Sequence, residues 1–266
     1  MAVLAVVSGL AVGLVGGLIG LGGAEFRLPI LVAVFSYTLR RAVVLNLIVS
    51  FVTVVAGAGM RLASGQAPSL PHDTVAIVVS MIGGGMLGAY LGSGWIARLP
   101  DAGLRRVVRG LLLVIGALLL IESVFAWDSP GLPLGLAGRM AFGLVAGGLI
   151  GIASTLLGVA GGELIIPTLV FAFGADVKSA GTLSLLISIP TLVIGLWRHH
   201  ARGMGVERGD VTALVAPMAL GSVGGAVAGA ALVAYVSGPS LKALLGVILI
   251  GSALKIFDAE RAVVAR

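Results

Sequence analysis

The sequence contains no cysteine. That excludes disulfides, thiolate metal sites and cysteine nucleophiles, and it leaves the compartment open. Charge is nearly as scarce, with 11% of residues charged against about 25% in a soluble domain. Seventeen basic and 11 acidic side chains are too few to solvate the surface of a water-soluble fold of 266 residues. A soluble enzyme is therefore excluded. The chain also has no H-E-x-x-H, no P-loop and no G-x-S-x-G, which argues against a membrane protease or an ATP-driven pump. No basic n-region precedes the first apolar stretch, so a cleaved signal peptide is not expected there. No metal, no cofactor and no nucleic-acid partner is expected.

What is present is apolar sequence and glycine. Hydrophobic residues make up 59% of the chain and the mean hydropathy is +1.17. The 42 glycines follow no three-residue period, which excludes collagen. Long apolar runs exclude a disordered Gly-rich chain. The expected fold is an all-α integral membrane protein, multi-pass in the cell (cytoplasmic) membrane, with the lipid bilayer as its solvent. A span needs about 20 apolar residues. Five apolar segments fill the first half: Ala2–Gly20, Phe26–Tyr37, Ala42–Leu62, Thr74–Ala97 and Leu104–Phe125. A polar, proline-containing stretch at 126–133 follows. The pattern then recurs as Leu134–Leu157, Leu164–Gly174, Ser179–Trp197, Val211–Tyr235 and Leu241–Phe257.

The halves are an internal repeat. At a shift of 138, GLGGAEFRLP (20–29) lies on GVAGGELIIP (158–167) without a gap, and residues 7–65 share 20 identities in 59 positions. Such a composition gives roughly one in eight to ten by chance. At a shift of 137, Gly84, Gly88 and Gly92 fall on Gly221, Gly225 and Gly229. The chain thus reads as residues 1–125, a central loop 126–133, and residues 134–266. An odd number of crossings per half predicts two inverted-topology repeats of about five helical segments each. Charge follows this reading. Arg40, Arg41, Arg98, Arg105, Arg106, Arg109, Arg198, Arg202, Arg208, Lys255, Arg261 and Arg266 fall to one side. Arg61, Arg139, Lys178 and Lys242 fall to the other. Cytoplasmic loops collect Lys and Arg, which predicts both termini cytoplasmic. Trp95, Trp127 and Trp197 lie at predicted helix ends, as in an interfacial aromatic belt.

The second segment of each half has about a dozen residues and follows a glycine cluster. At 1.5 Å per residue it reaches roughly 18 Å, little more than half of the hydrocarbon core. Each is predicted to be a broken or short helix, either continuing the span or forming a re-entrant hairpin. Such a pair in corresponding places of two halves points to a transporter's binding site. Short-helix N-termini offer N–H groups and partial positive charge to an anion. Gly22, Gly23, Gly161 and Gly162 let backbone approach a ligand; alternatively they only permit tight packing.

These two motifs resemble the paired glycine-rich motifs of the sulfite exporter TauE/SafE family, also called the 4-toluene sulfonate uptake permeases. The resemblance covers nearly the whole chain, and Pro29 and Pro167 match the family's proline after the glycine run. The run itself is interrupted by Leu21 in the first copy and by Val159 and Ala160 in the second. The resemblance implies a secondary transporter of small sulfur-containing anions such as sulfite, sulfoacetate or organosulfonates.

Three charges stand inside apolar sequence: Glu25, Arg27 and Glu163. A charge at the membrane centre costs at least about 2.5–3.5 kcal/mol and points to function by default. Glu25 and Glu163 are aligned by the repeat. They are candidates for capping the short helices or for carrying a coupling proton; with exposed carbonyls they alternatively form a Na⁺ or H⁺ site in a cation transporter or channel. Arg27, where the second half has Ile165, offers a guanidinium to an oxyanion, or pairs with Glu25, or snorkels away. Asn46, Ser50 and Thr53 align with Ser184, Ser188 and Thr191, each set on one helix face. They read as substrate donors or as interhelical hydrogen bonds. The Gly84 and Gly221 rows read as small-xxx-small packing faces between the repeats, with an oligomer interface as a further use. His199 and His200 read as a solvated interfacial pair.

Overall fold

The computed structural model describes residues 1–66, 72–95, 110, 113–114, 116–117, 120–121, 123–124, 131–203 and 206–264. The predicted segment Leu104–Phe125 lies mostly outside the described residues. Trp127 lies outside them as well, as does the side chain of Trp95.

All regular structure among the described residues is helical. The first half contains α1 (Ala2–Ile19), α2 (Ala24–Ala33), α3 (Leu39–Ala63) and α4 (His72–Trp95). The second half contains α5 (Leu136–Leu157), α6 (Gly162–Pro167), α7 (Val177–Ala201), α8 (Ala216–Leu232) and α9 (Gly238–Val264). A five-residue π turn, Thr168–Ala172, extends α6, and another, Val211–Val215, leads into α8. Among the described residues, six helical stretches are long and apolar enough to cross a membrane: Ala2–Ile19, Arg41–Ala63, Thr74–Ser93, Leu136–Thr155, Val177–Ala201 and Val211–Tyr235. Leucines and valines such as Val3, Val79, Leu149, Leu220 and Val247 remain exposed on the outside, as a lipid-facing surface requires.

Packing follows the glycine rows. A Cβ built on Gly84, Gly88 or Gly92 of α4 would strike backbone at Leu144, Gly148 or Ile152 of α5. One built on Gly221, Gly225 or Gly229 of α8 would strike Val6, Leu10 or Leu14 of α1. The second set of partners is the first shifted by 138. Reciprocally, Gly9, Gly13 and Gly17 of α1 sit against Met218, Ser222 and Ala226 of α8. Each half therefore lends its first helix to the fourth helix of the other, at backbone-to-backbone distance. The glycine faces are covered within the chain, which removes them as an oligomer interface.

Polar contacts fix the helix directions. The start of α3 meets the approach to α8: Tyr37 Oη donates to Asp210 Oδ1 at 3.0 Å and Arg41 Nε to Asp210 Oδ2 at 2.8 Å. The end of α3 meets the start of α7, where Arg61 donates to the Lys178 carbonyl at 3.1 Å. The end of α7 meets the end of α4, Arg198 Nε donating to Ser93 Oγ at 3.0 Å. Helices α3 and α7 thus run in opposite directions between an Arg41 face and a Lys178 face. At the Arg41 end of the bundle, Trp197 is 54% exposed and stacks on Tyr90, over which Arg198 also lies.

Candidate functional site

The break between α1 and α2 is built by two left-handed glycines. Gly20 (φ 96°) ends α1, and Gly23 (φ 66°) precedes α2. Gly158 (φ 68°) and Gly161 (φ 80°) do the same between α5 and α6. Only glycine takes this conformation without a Cβ penalty. The sequence repeat is thus a conformational repeat. In each half a span-length helix stops, the chain turns within four residues, and a short helix begins. The ten-residue α2 starts beside Ser50 and Val54, midway along α3. The loop after it, at Tyr37, reaches the Arg41 face.

The two breaks touch each other. A Cβ on Gly22 would lie 2.7 Å from Ala160 Cβ, and one on Gly162 would lie 3.0 Å from both Leu21 Cδ2 and Ser184 Oγ. Asn46 ties them together, its Nδ2 donating to the Ala24 carbonyl at 2.9 Å and to the Gly158 carbonyl at 2.8 Å. Ser188 Oγ donates to the Ala160 carbonyl at 2.9 Å. The Gly158 and Ala160 carbonyls are ones that the end of a helix and the turn after it leave without a partner, and in a membrane they must be satisfied within the protein.

Arg27 lies at the centre of this arrangement. It does not snorkel; its exposure is 0%. Nη1 donates to Ser50 Oγ at 2.9 Å and Asn46 Oδ1 at 3.4 Å. Nη2 donates to the Gly22 carbonyl at 3.1 Å, Thr53 Oγ1 at 3.3 Å and Ser222 Oγ at 3.4 Å. The whole polar stripe of α3 therefore turns to the guanidinium. Ser222, from α8 in the other half, completes the ring. The corresponding stripe of α7 is less occupied. Thr191 Oγ1 bonds back to the Ile187 carbonyl at 3.2 Å, while Ser184 Oγ is fully buried with no hydrogen-bond partner. Glu163 is buried in the first turn of α6. Glu25 stands in the first turn of α2, and its side chain lies outside the described residues.

Three residues carry roles that the sequence did not reveal. Arg61, counted above among loop charges, is 0% exposed. Its Nη2 donates to the Gly17 and Leu18 carbonyls at 3.0 and 2.8 Å, and its Nη1 to Lys178 O and Thr182 Oγ1, both at 3.1 Å. It caps the end of α1, where the helix carbonyls lack partners. Ser222 gave no signal because its repeat partner, Gly85, has no side chain. His199 is buried at 2% exposure rather than solvated, while its neighbour His200 is exposed. An open cavity of about 170 Å³ at the Lys178 face is lined by Gln66, Lys178, Ser179, Thr182, Val233 and Ala234, directly outside Arg61's partner Thr182.

A multi-pass helical membrane protein with two equivalent helix breaks meeting at its centre has the anatomy of a membrane transporter. The sulfite exporter TauE/SafE family matches residues 1–119 and 142–262, and the chain belongs to that family. It is similar to the probable membrane transporter protein YunE of Bacillus subtilis (strain 168), at 24% identity over 115 residues. That alignment covers 43% of this chain, and the chain spans 40% of the relative's length. No solved structure matches the chain.

Proposed function

We propose that the chain is a secondary transporter of small sulfur-containing anions, sulfite or an organosulfonate, in the cell membrane. The substrate binds where the two glycine motifs meet. The observation that carries this reading is the Arg27 guanidinium, fully buried and ringed by groups from the break before α2, from α3 and from α8. A planar guanidinium fork matches the oxygens of a sulfite or sulfonate. Substrate oxygens take the place of the Gly22 carbonyl and the Ser222 hydroxyl, the two partners from outside α3. On the other side of the contact Ser184 Oγ, buried without a partner beside Gly162, is the donor left for the same anion. Asn46, Ser50 and Ser188 hold the two breaks in register, and Gly22, Gly23, Gly161 and Gly162 keep the approach free of Cβ atoms. Glu25 and Glu163 serve as helix caps or take up a coupling proton.

The reading includes two inverted repeats, 1–125 and 134–266, that rock about the fixed contact, with both termini cytoplasmic. The opposed directions of α3 and α7 and the exchange of packing partners between the halves support it. Counterflow of radiolabelled sulfite into proteoliposomes tests the function. Wild-type protein is expected to exchange sulfite, and Arg27→Lys to lose most of that exchange, because an ammonium cannot bind bidentately. Absence of exchange with sulfite, sulfoacetate and an aryl sulfonate by correctly folded protein overturns the substrate assignment. Replacing both Glu25 and Glu163 by Gln separates this reading from a cation carrier, which loses binding when both carboxylates go.

A further inference from the structure

The shift of 138 that places Gly20 on Gly158 also places Arg61 on His199. Both side chains are buried, at 0% and 2% exposure. Arg61 fastens the Lys178 face by gripping the Gly17 and Leu18 carbonyls in the last turn of α1 and the Lys178 carbonyl in the first turn of α7. Shifted by the repeat, those acceptors become Thr155 and Leu156 at the end of α5, and residue 40 at the start of α3. His199 does face the Thr155 carbonyl. Neither ring nitrogen, however, reaches hydrogen-bond geometry with any partner. A neutral imidazole has one N–H, an imidazolium two and a guanidinium five. Where one face carries a permanent cation, the other carries an imidazole, which exists as a neutral base or as a cation.

We propose that His199 is a proton-binding site that latches the Arg41 face, its imidazolium gripping the end of α5 as Arg61 grips the end of α1. The partial negative charge of a helix C-terminus favours the imidazolium form of this contact. Its neutral form leaves the face free to open. The inference rests on the alternating-access reading above and adds the control of one of its two closures. Among the described residues the charged groups around the ring are few. On α7 itself Arg198 is turned to Ser93 and Tyr90 of α4, His200 is exposed, and Arg202 lies close enough to be felt at the ring. Helix α5 brings the neutral Thr155. At the start of α3, Arg41 is held by Glu207 and Asp210. Among the described residues no carboxylate forms an ion pair with His199.

The absence of native cysteine makes the test direct. Val43, 8% exposed, packs on Gly158 at the end of α5, so Val43→Cys reacts with maleimide only when the Arg41 face opens. The exposed Ser64→Cys corrects for thiol ionisation. In full-length protein in nanodiscs, corrected labelling is expected to fall about tenfold from about pH 8 to pH 5, the effect of one charge-assisted hydrogen bond. In the His199→Arg background it is low and flat; in His199→Gln it is flat. In parallel, the ring signal lost in His199→Gln is expected to titrate in wild-type protein by NMR, where only three histidines contribute. The same pH profile in all three backgrounds, or a His199 signal that does not titrate, overturns the latch and leaves the transporter reading standing. No labelling in any background of folded protein overturns both.

Discussion

Alanine at Gly225 tests how the two halves are held together. A Cβ there would lie 2.6 Å from Leu14 N and 3.0 Å from Gly13 C, with the Leu10 carbonyl closer still. Comfortable contact needs about 3.5 Å, so α1 and α8 must separate by about 1 Å. All of these atoms are backbone, and no side chain can rotate away. Overpacking of this kind costs about 1–3 kcal/mol. Alanine also raises helix propensity, by about 1 kcal/mol relative to glycine, which masks part of the cost. The neighbouring Gly224→Ala isolates the clash, because its Cβ meets only Leu10 Cδ1, at an ordinary 3.7 Å. It gains the same propensity without the collision. Gly88→Ala is the repeat equivalent, with Gly148 Cα 3.0 Å from the added atom, and Gly59→Ala, with nothing within 4 Å, is its control. Thermal unfolding in one detergent should place Gly225→Ala and Gly88→Ala several degrees below their controls. Equal stability of Gly225→Ala and Gly224→Ala would refute the close backbone packing of α1 on α8.

Other consequences follow from single residues. Gly23→Ala and Gly161→Ala place a side chain at φ 66° and 80°, at a cost of about 1–2 kcal/mol each, and should lower both thermal stability and sulfite exchange. Arg61→Met removes a charged donor from three backbone carbonyls. It should cost on the order of 3 kcal/mol, visible as faster hydrogen exchange at the end of α1. Asp210→Asn weakens its links to Tyr37 and Arg41 together and should destabilise more than Glu207→Gln, whose pair with Arg41 is largely exposed and contributes little. Burial, then the hydrogen bond to Asp210, raises the Tyr37 phenol above its ordinary value of 10.0. The raised group stabilises the fold below its unfolded pKa and stops doing so as pH rises through the folded value. Ultraviolet titration, compared with Tyr37→Phe, should therefore show one tyrosine ionising later than the others.

Hydropathy made the membrane class and most spans legible, because about 20 apolar residues have few other uses. The aligned glycines were legible too, since identical backbone demands recur at Gly20 and Gly158 and at Gly23 and Gly161. The α3 stripe was legible as one face, from the spacing of Asn46, Ser50 and Thr53. Its target was not, because the contact to Arg27 closes over about 20 residues and sequence spacing cannot tell a substrate donor from a partner for a buried guanidinium. Arg61 looked like a loop charge because it stands one turn from a helix end; only its neighbours show that it caps α1. His199 was misread for the same reason, its buried side of the helix being set by α5.

By itself, the sequence determined the solvent this chain lives in, its internal duplication, and the places where helices must break. Local chemistry suffices for those: hydrophobicity sets spans, and a missing Cβ permits a left-handed turn. The tertiary structure alone decided which half packs on which, that the two breaks meet, and where the buried charges point. Those outcomes depend on contacts between residues far apart in the chain, such as Arg27 with Ser222, and no local pattern specifies them.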